Sequence, residues 1–370
     1  MNRTIIFAHF DRDNIIDNYI ITYLEELKKF CNNIIFVSDC NLLENEINKI
    51  SHLITDFIAQ KHNEYDFGSY KIGYQLLVAK HPQILEKTDE LLFVNDSCYC
   101  IGSFEKVFST EITKDIDAWG LTEGYDHSFS INSYYLQSYF IALRPAVFKE
   151  RFFIDFVNSI TSLANKDEIV KRYELGLSQL MLKNHKKLFA VFNISQINDF
   201  IFKNSPYLID ETLTITGTLN NNSNIKSTIL KYQLLLINEP NHIHSDKFLV
   251  LAYMKLPVIK RRIISEYSDL GSYLVFFWAK IISIAFPQFD INQIFLHNHR
   301  IGNALKDADL ASDLKYIQQA LTISHRRFYS YIFYGFCVFI YAFPYLGSIL
   351  FKPKKIKKFL YKIILRFNLI

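Results

Sequence analysis

Along this chain, short unbroken apolar runs alternate with segments whose apolar residues recur at helical spacing. Residues 4–8 (TIIFA) are apolar and rich in β-branched side chains, which predicts a buried strand ending at His9-Phe10-Asp11. In residues 14–30, Ile15, Ile16, Tyr19, Ile20, Tyr23, Leu24 and Leu27 fall on one face of a predicted helix. Residues 34–37 (IIFV) predict a second buried strand, ending at Ser38-Asp39. Strand, helix, strand over so short a stretch is a βαβ opening, and it places the chain in the α/β class. A third strand is predicted near Leu53–Ile58, a helix over 70–80, and a strand over 90–94 (ELLFV) ending at Asn95-Asp96-Ser97. Shorter strands are expected at Asp117–Gly120 and Tyr139–Leu143. Helical patterns are expected at 145–161, 166–184 and 246–265, with a loop around Asn220–Asn224.

Polar residues therefore gather where the predicted strands end. His9, Asp11, Asp39, Asn95, Asp96 and Ser97 all lie there. In open α/β sheets, ligands bind at the carboxyl ends of the strands.

The last hundred residues read differently. Residues 272–286 are apolar apart from Lys280, and Phe328–Phe351 is a charge-free run long enough to span a bilayer. Pro344 inside it would kink a spanning helix. Arg326 and Arg327 precede the run and five lysines follow it closely, so the flanks give no inside–outside bias. From Arg326 onward there are 9 basic and no acidic residues, which leaves 32 basic against 37 acidic residues in the rest of the chain. The overall charge of +4 thus hides a weakly acidic body joined to a basic, apolar tail. Interleaved aromatic and aliphatic residues favour a lipid surface over nucleic acid for that tail. The expectation is a domain over 1–265, followed over 266–370 by a helical, basic and apolar region that associates with an anionic membrane surface, lying in the interface or spanning it.

Composition narrows the class further. Half of the 370 residues are hydrophobic and 16% are aromatic, with 11 Gly and 8 Pro, which excludes a disordered or low-complexity chain. Five cysteines without a CxxC pair argue against a disulfide framework and against a zinc site. No signal peptide precedes the first strand, which predicts a cytoplasmic catalytic part.

Several positions can carry chemistry. Asp96, just after a buried strand, can hold a divalent cation against a diphosphate, or cap the turn that follows. Asp66 or Ser69 can cap a helix whose start, with Gly68 and Lys71, forms an anion site. Glu174, in KRYELGLSQ, can deprotonate an acceptor hydroxyl or pair with Lys171 on a solvent face. The His242-x-His244-x-Asp246 cluster can bind metal or serve structurally. No P-loop, GxSxG or HExxH motif occurs.

Taken together and in order, IIFAHFD, IIFVSD, NEYDFGSYKIGYQLL, DELLFVNDSCY, DAWGLTE, YYLQSYFIALRPAVF, EIVKRYELGLSQLML and EPNHIHSDKFLVLAYMKLPVIKRRII resemble the rhamnan synthesis protein F family, over roughly residues 4 to 265. The resemblance implies a GT-A-like, Rossmann-like glycosyltransferase domain of bacterial polysaccharide assembly. It implies a nucleoside-diphosphate sugar donor, a lipid-linked or growing glycan acceptor, a divalent cation (Mn2+ or Mg2+) and a place at the cytoplasmic face of the cell membrane. On that likeness His9, Asp11, Asp39, Asp66, Ser69, Lys71, Asn95 and Ser97 are donor-binding candidates. Asp96, His242 and His244 are metal candidates, and Glu174 and Asp126 are catalytic candidates. The acidic motif reads Asn-Asp-Ser and not Asp-x-Asp. A catalytically silent, membrane-attached scaffold is the alternative.

Overall fold

The computed structural model describes residues 1–110, 115–126, 133–163, 166–201, 203–204, 247–265 and 278–302. The chain divides into two compact units, Met1–Ile317 and Gln318–Ile370, and the second lies outside the described residues. So does the Phe328–Phe351 run. Among the described residues no helix is long and apolar enough to cross a membrane.

Among the described residues, eight strands make one mixed sheet: β1 Arg3–His9, β2 Asn33–Ser38, β3 Asp56–Ala59, β4 Glu90–Asn95, β6 Ala118–Tyr125, β7 Tyr134–Leu136, β8 Phe140–Leu143 and β9 Leu188–Phe192. Their order is β3-β2-β1-β4-β8-β6-β7, with β9 also pairing β6. The first four neighbours are parallel, β8 enters antiparallel beside β4, and β9 runs parallel to β6. β5 Cys98–Cys100 and β10 Val258–Lys260 form a separate antiparallel ribbon.

β1, β2 and β4 are buried nearly throughout, as expected of parallel strands covered on both faces. The Asn18–Lys28 helix returns the chain from β1 to β2, and the Tyr65–Lys80 helix leads from β3 towards β4. The second lies so close to the sheet that a Cβ on Gly73 would come 2.3 Å from Ile6, so only glycine fits there. Tyr70 stacks on Phe93 of β4 with ring centroids 4.4 Å apart. The high aromatic content is therefore core: Phe67, Tyr70, Phe93, Phe153 and Tyr173 are fully buried in one cluster. Each such side chain contributes about 1.5–3 kcal/mol by leaving water.

Three predicted elements differ. The first helix begins at Asn18 and not near residue 14, because Asp11–Asp17 forms a loop with Asn14 at φ 56°. The 246–265 helix is broken into Lys247–Tyr253, β10 and Arg261–Ser265. Pro257, which disfavours helix in the residue before it, and the β-branched Val258-Ile259 explain the break. Within 166–184, Val170–Leu175 is π-helical. From the region predicted to be a separate C-terminal part, the helices Trp278–Ala285 and Asn292–Arg300 belong to the same compact unit as the sheet.

Candidate functional site

The carboxyl ends of β1, β2 and β4 carry six of the residues singled out above, but the structure gives them different tasks. His9 closes β1 and is buried, with its Nδ1 2.9 Å from Ser38 Oγ. Burial lowers its pKa despite the nearby Asp96 and Asp11, so it is neutral at physiological pH. Asp39 accepts the backbone N–H groups of His62 (2.6 Å) and Asn63 (2.8 Å). It thereby pins a turn in which Asn63 and Tyr65 both take positive φ, 58° and 56°. A bulky residue held in that region is costly and marks a turn fixed from outside.

That turn sets the start of the Tyr65–Lys80 helix, where three expectations are corrected. The N-cap position is Glu64, and neither Asp66 nor Ser69 caps the helix. Ser69 is buried against His62, 3.0 Å from its Nε2. Gly68 admits the His62 ring and not a ligand: a Cβ there would lie 2.8 Å from His62 Nδ1. Lys71 does face the helix start, but it is held by Glu64 and by the carbonyl of Ile160.

Asp66 turns instead towards β4 and accepts a bond of 2.7 Å from Asn95 Nδ2. Asn95 Oδ1 in turn accepts the backbone N–H and the hydroxyl of Ser97. Ser97 Oγ lies 2.8 Å from Lys260 Nζ, which stands 4.6 Å from the centre of the Tyr139 ring. Asp96 Oδ2 accepts the Phe10 N–H at 3.1 Å and faces Arg261 Nη1 at 3.5 Å. Arg261 also donates to Tyr19 Oη (2.7 Å) and to the Asp96 carbonyl (3.1 Å).

Glu174 reaches the same place from the π-helical turn, with Oε1 accepting the Ser138 N–H at 2.8 Å. It is not the solvent-facing partner of Lys171. Burial raises the pKa of Glu174, more than the Ser138 bond and Lys260 lower it, and Asp66 adds to the rise. Burial likewise raises that of Asp66, with Lys260 and Asn95 opposing. Two carboxyls and one ammonium thus lie close enough to act on one another's charge. Asp126 is exposed, with its N–H on Ser133. Its charge and that of Glu174 both bear on Tyr135. His242 and His244 lie outside the described residues.

Asp11 leads elsewhere. Arg300 meets Asp11, Asp17 (2.6 Å) and Asp13 (2.8 Å) with its guanidinium. Burial would raise the Asp11 carboxyl, but Arg300 and the N–H groups of Asp13 and Ile15 outweigh it and hold the pKa low. Asp11, Asp17 and His297 place ligand atoms within 4.8 Å of one another, and His297 Nε2 is buried without a hydrogen-bond partner. The Arg300 guanidinium pairs with two of these three residues, Asp11 and Asp17.

Among the described residues, the surroundings of Asp96 do not fit a divalent cation. One Asp96 oxygen holds a backbone N–H, the guanidinium of Arg261 faces it, and the Lys260 ammonium bonds the neighbouring Ser97. Divalent cations of this kind take several oxygen donors. Lys260 and Arg261 went unread in the sequence because the helical reading of 246–265 hid them. The signal available was Pro257 ahead of a β-branched pair and three basic residues.

The sequence model of the family described as rhamnan synthesis protein F (RgpF) matches residues 34–242. No curated protein matches the chain. The chain is similar to the mannosyltransferase Ktr4p from S. cerevisiae, at 9% identity and a TM-score of 0.28, over 42% of this chain and 59% of that one. It is similar to core-mannan synthase A (CmsA/Ktr4) from Aspergillus fumigatus, in a Mn/GDP form, at 11% identity and a TM-score of 0.27, over 43% and 63%. The chain spans less than two thirds of the length of either enzyme.

Proposed function

The chain belongs to the rhamnan synthesis protein F family, and on that premise we propose that it is a glycosyltransferase of cell-surface polysaccharide assembly. A nucleoside-diphosphate sugar, with a deoxyhexose such as rhamnose as the sugar, binds at the carboxyl edge of β1, β2 and β4. The observation that carries this reading is the convergence there of Asp66, Asp96 and Glu174 with Lys260 and Arg261, from four separate chain segments. Perturbed acids beside cations at a sheet edge are the arrangement expected of a reaction centre.

An acceptor hydroxyl attacks the anomeric carbon. The bond from that carbon to the diphosphate breaks with its electron pair on the leaving group, and the acceptor proton passes to Glu174. One displacement inverts the anomeric centre. A raised Glu174 pKa suits a base that operates near neutral pH. Asp126, at the rim with Tyr135, is placed to meet the acceptor or the donor sugar.

The acceptor is a lipid-linked or growing glycan that reaches the enzyme at the cytoplasmic face of a bacterial membrane. The basic, apolar sequence from Arg326 onward supports this. So do Ile284, Phe295 and Leu296, all exposed on the Trp278–Ala285 and Asn292–Arg300 helices. Basic residues near an anionic leaflet contribute about 1 kcal/mol each.

The test is a donor screen. Full-length protein in detergent is titrated with dTDP-, UDP- and GDP-sugars, with and without manganese, and followed by thermal shift. One nucleotide class should raise Tm, and Asp96→Ala should abolish the rise. Folded protein that responds to none of them would transfer the argument to a catalytically silent scaffold.

A further inference from the structure

Lys260 and Arg261 are delivered to the Asn95–Ser97 turn by backbone pairing. β10 pairs antiparallel with β5, so that Lys260 lies opposite Cys98, and the Arg261 N–H donates to the Ser97 carbonyl at 2.9 Å. From one short segment, Arg261 faces Asp96 and Lys260 reaches Ser97 beside it. Lys260 bonds a neutral hydroxyl and covers an aromatic face. Arg261 bonds a phenol and a carbonyl, with the Asp96 carboxylate at 3.5 Å.

Adjacent Lys and Arg side chains suit a diphosphate well. The guanidinium fork matches two phosphate oxygens, and the ammonium adds a compact charge. A divalent ion at Asp96 would be driven against both. Fixed cations at a site where negative charge develops need no reorganisation when the leaving group departs.

Resting on the glycosyltransferase reading, we propose that Lys260 and Arg261, in place of a divalent cation, hold the donor's diphosphate and stabilise it as it leaves. Asp96 is then the positioning residue that orients Arg261.

The experiment measures binding of dTDP, UDP and GDP to the full chain by calorimetry, in EDTA and in manganese. The expected result is that one diphosphate binds equally within about twofold in both conditions. Lys260→Gln should weaken it at least about tenfold, while the matching nucleoside, without phosphates, binds as before. Arg261→Lys should weaken the diphosphate as well, because it keeps the charge and loses the fork. If the Arg261 variant does not fold, Lys260→Gln with an unchanged Tm decides alone. Binding that requires manganese and ignores Lys260→Gln would overturn the proposal and leave glycosyl transfer standing. Wild-type protein that binds none of the three in either condition would overturn both.

Discussion

At Arg300 one guanidinium meets three carboxylates, whereas the contacts of Arg261 include a phenol, a carbonyl and a carboxylate at 3.5 Å. Both clusters sit beside the loop that follows β1. In the first, charge is matched inside the protein, and Asp11 is held as a carboxylate below its usual range. The Asn292–Arg300 helix is thereby clipped to the loop before the first helix, with help from the bond between Thr22 and Gln293 (2.9 Å). In the second, burial outweighs the local cations, and Asp66 and Glu174 are pushed towards the protonated form. A protein keeps acids in an uncomfortable setting where a ligand completes the charge balance. The same residue types therefore build a clasp in one place and the proposed reaction centre in the other, and the opposite directions in which their carboxyls shift separate the two.

The sharpest way to break this contrast is Glu174→Gln. It should lower the transfer rate by about 10²- to 10⁴-fold, the range for a lost general base, with unchanged donor affinity. Rates measured under donor saturation check it, and a loss below tenfold would remove Glu174 from the chemistry. Next in size is Arg300→Ala. It leaves Asp11 and Asp17 without their cation and should cost roughly 2 kcal/mol, less than the ~3–5 kcal/mol of a fully buried pair because the arginine is partly exposed. Thermal unfolding reads the loss, and donor affinity should not change.

The smallest effect distinguishes the two clusters by pH. Glu174 has a raised pKa in the folded state, so its contribution to stability is full below the ordinary glutamate value of about 4.3 and is lost as pH rises through the raised one. Glu174→Gln should thus gain Tm relative to wild type as pH increases over that window. Asp11 has the opposite sign. Its contribution is present above the ordinary aspartate value and is lost as pH falls through the lowered one. The deficit of Arg300→Ala should therefore shrink on acidification. Parallel Tm curves for both variants would erase the distinction.

The cores of β1, β2 and β4 were legible because continuous β-branched runs have one good solution, a strand covered on both faces. The family resemblance read from ordered segments agrees with the match over residues 34–242. The roles within the site were much less legible. Asp66 sits in the first turn of its helix and looked like a cap, yet the strained turn pinned by Asp39 aims it at Asn95. Ser69 and Gly68 looked available to a ligand and are packed on His62.

By itself, then, the sequence determined the strand–helix alternation, the polar strand ends and the division between an acidic body and a basic tail, all of which follow from local periodicity and charge. Only the tertiary structure decided which carboxylates meet which cations. Arg261 is 165 residues from Asp96, and Arg300 is 289 from Asp11. Contacts at that separation depend on how the β5–β10 ribbon and the Asn292–Arg300 helix dock on the sheet, and no local pattern encodes that docking.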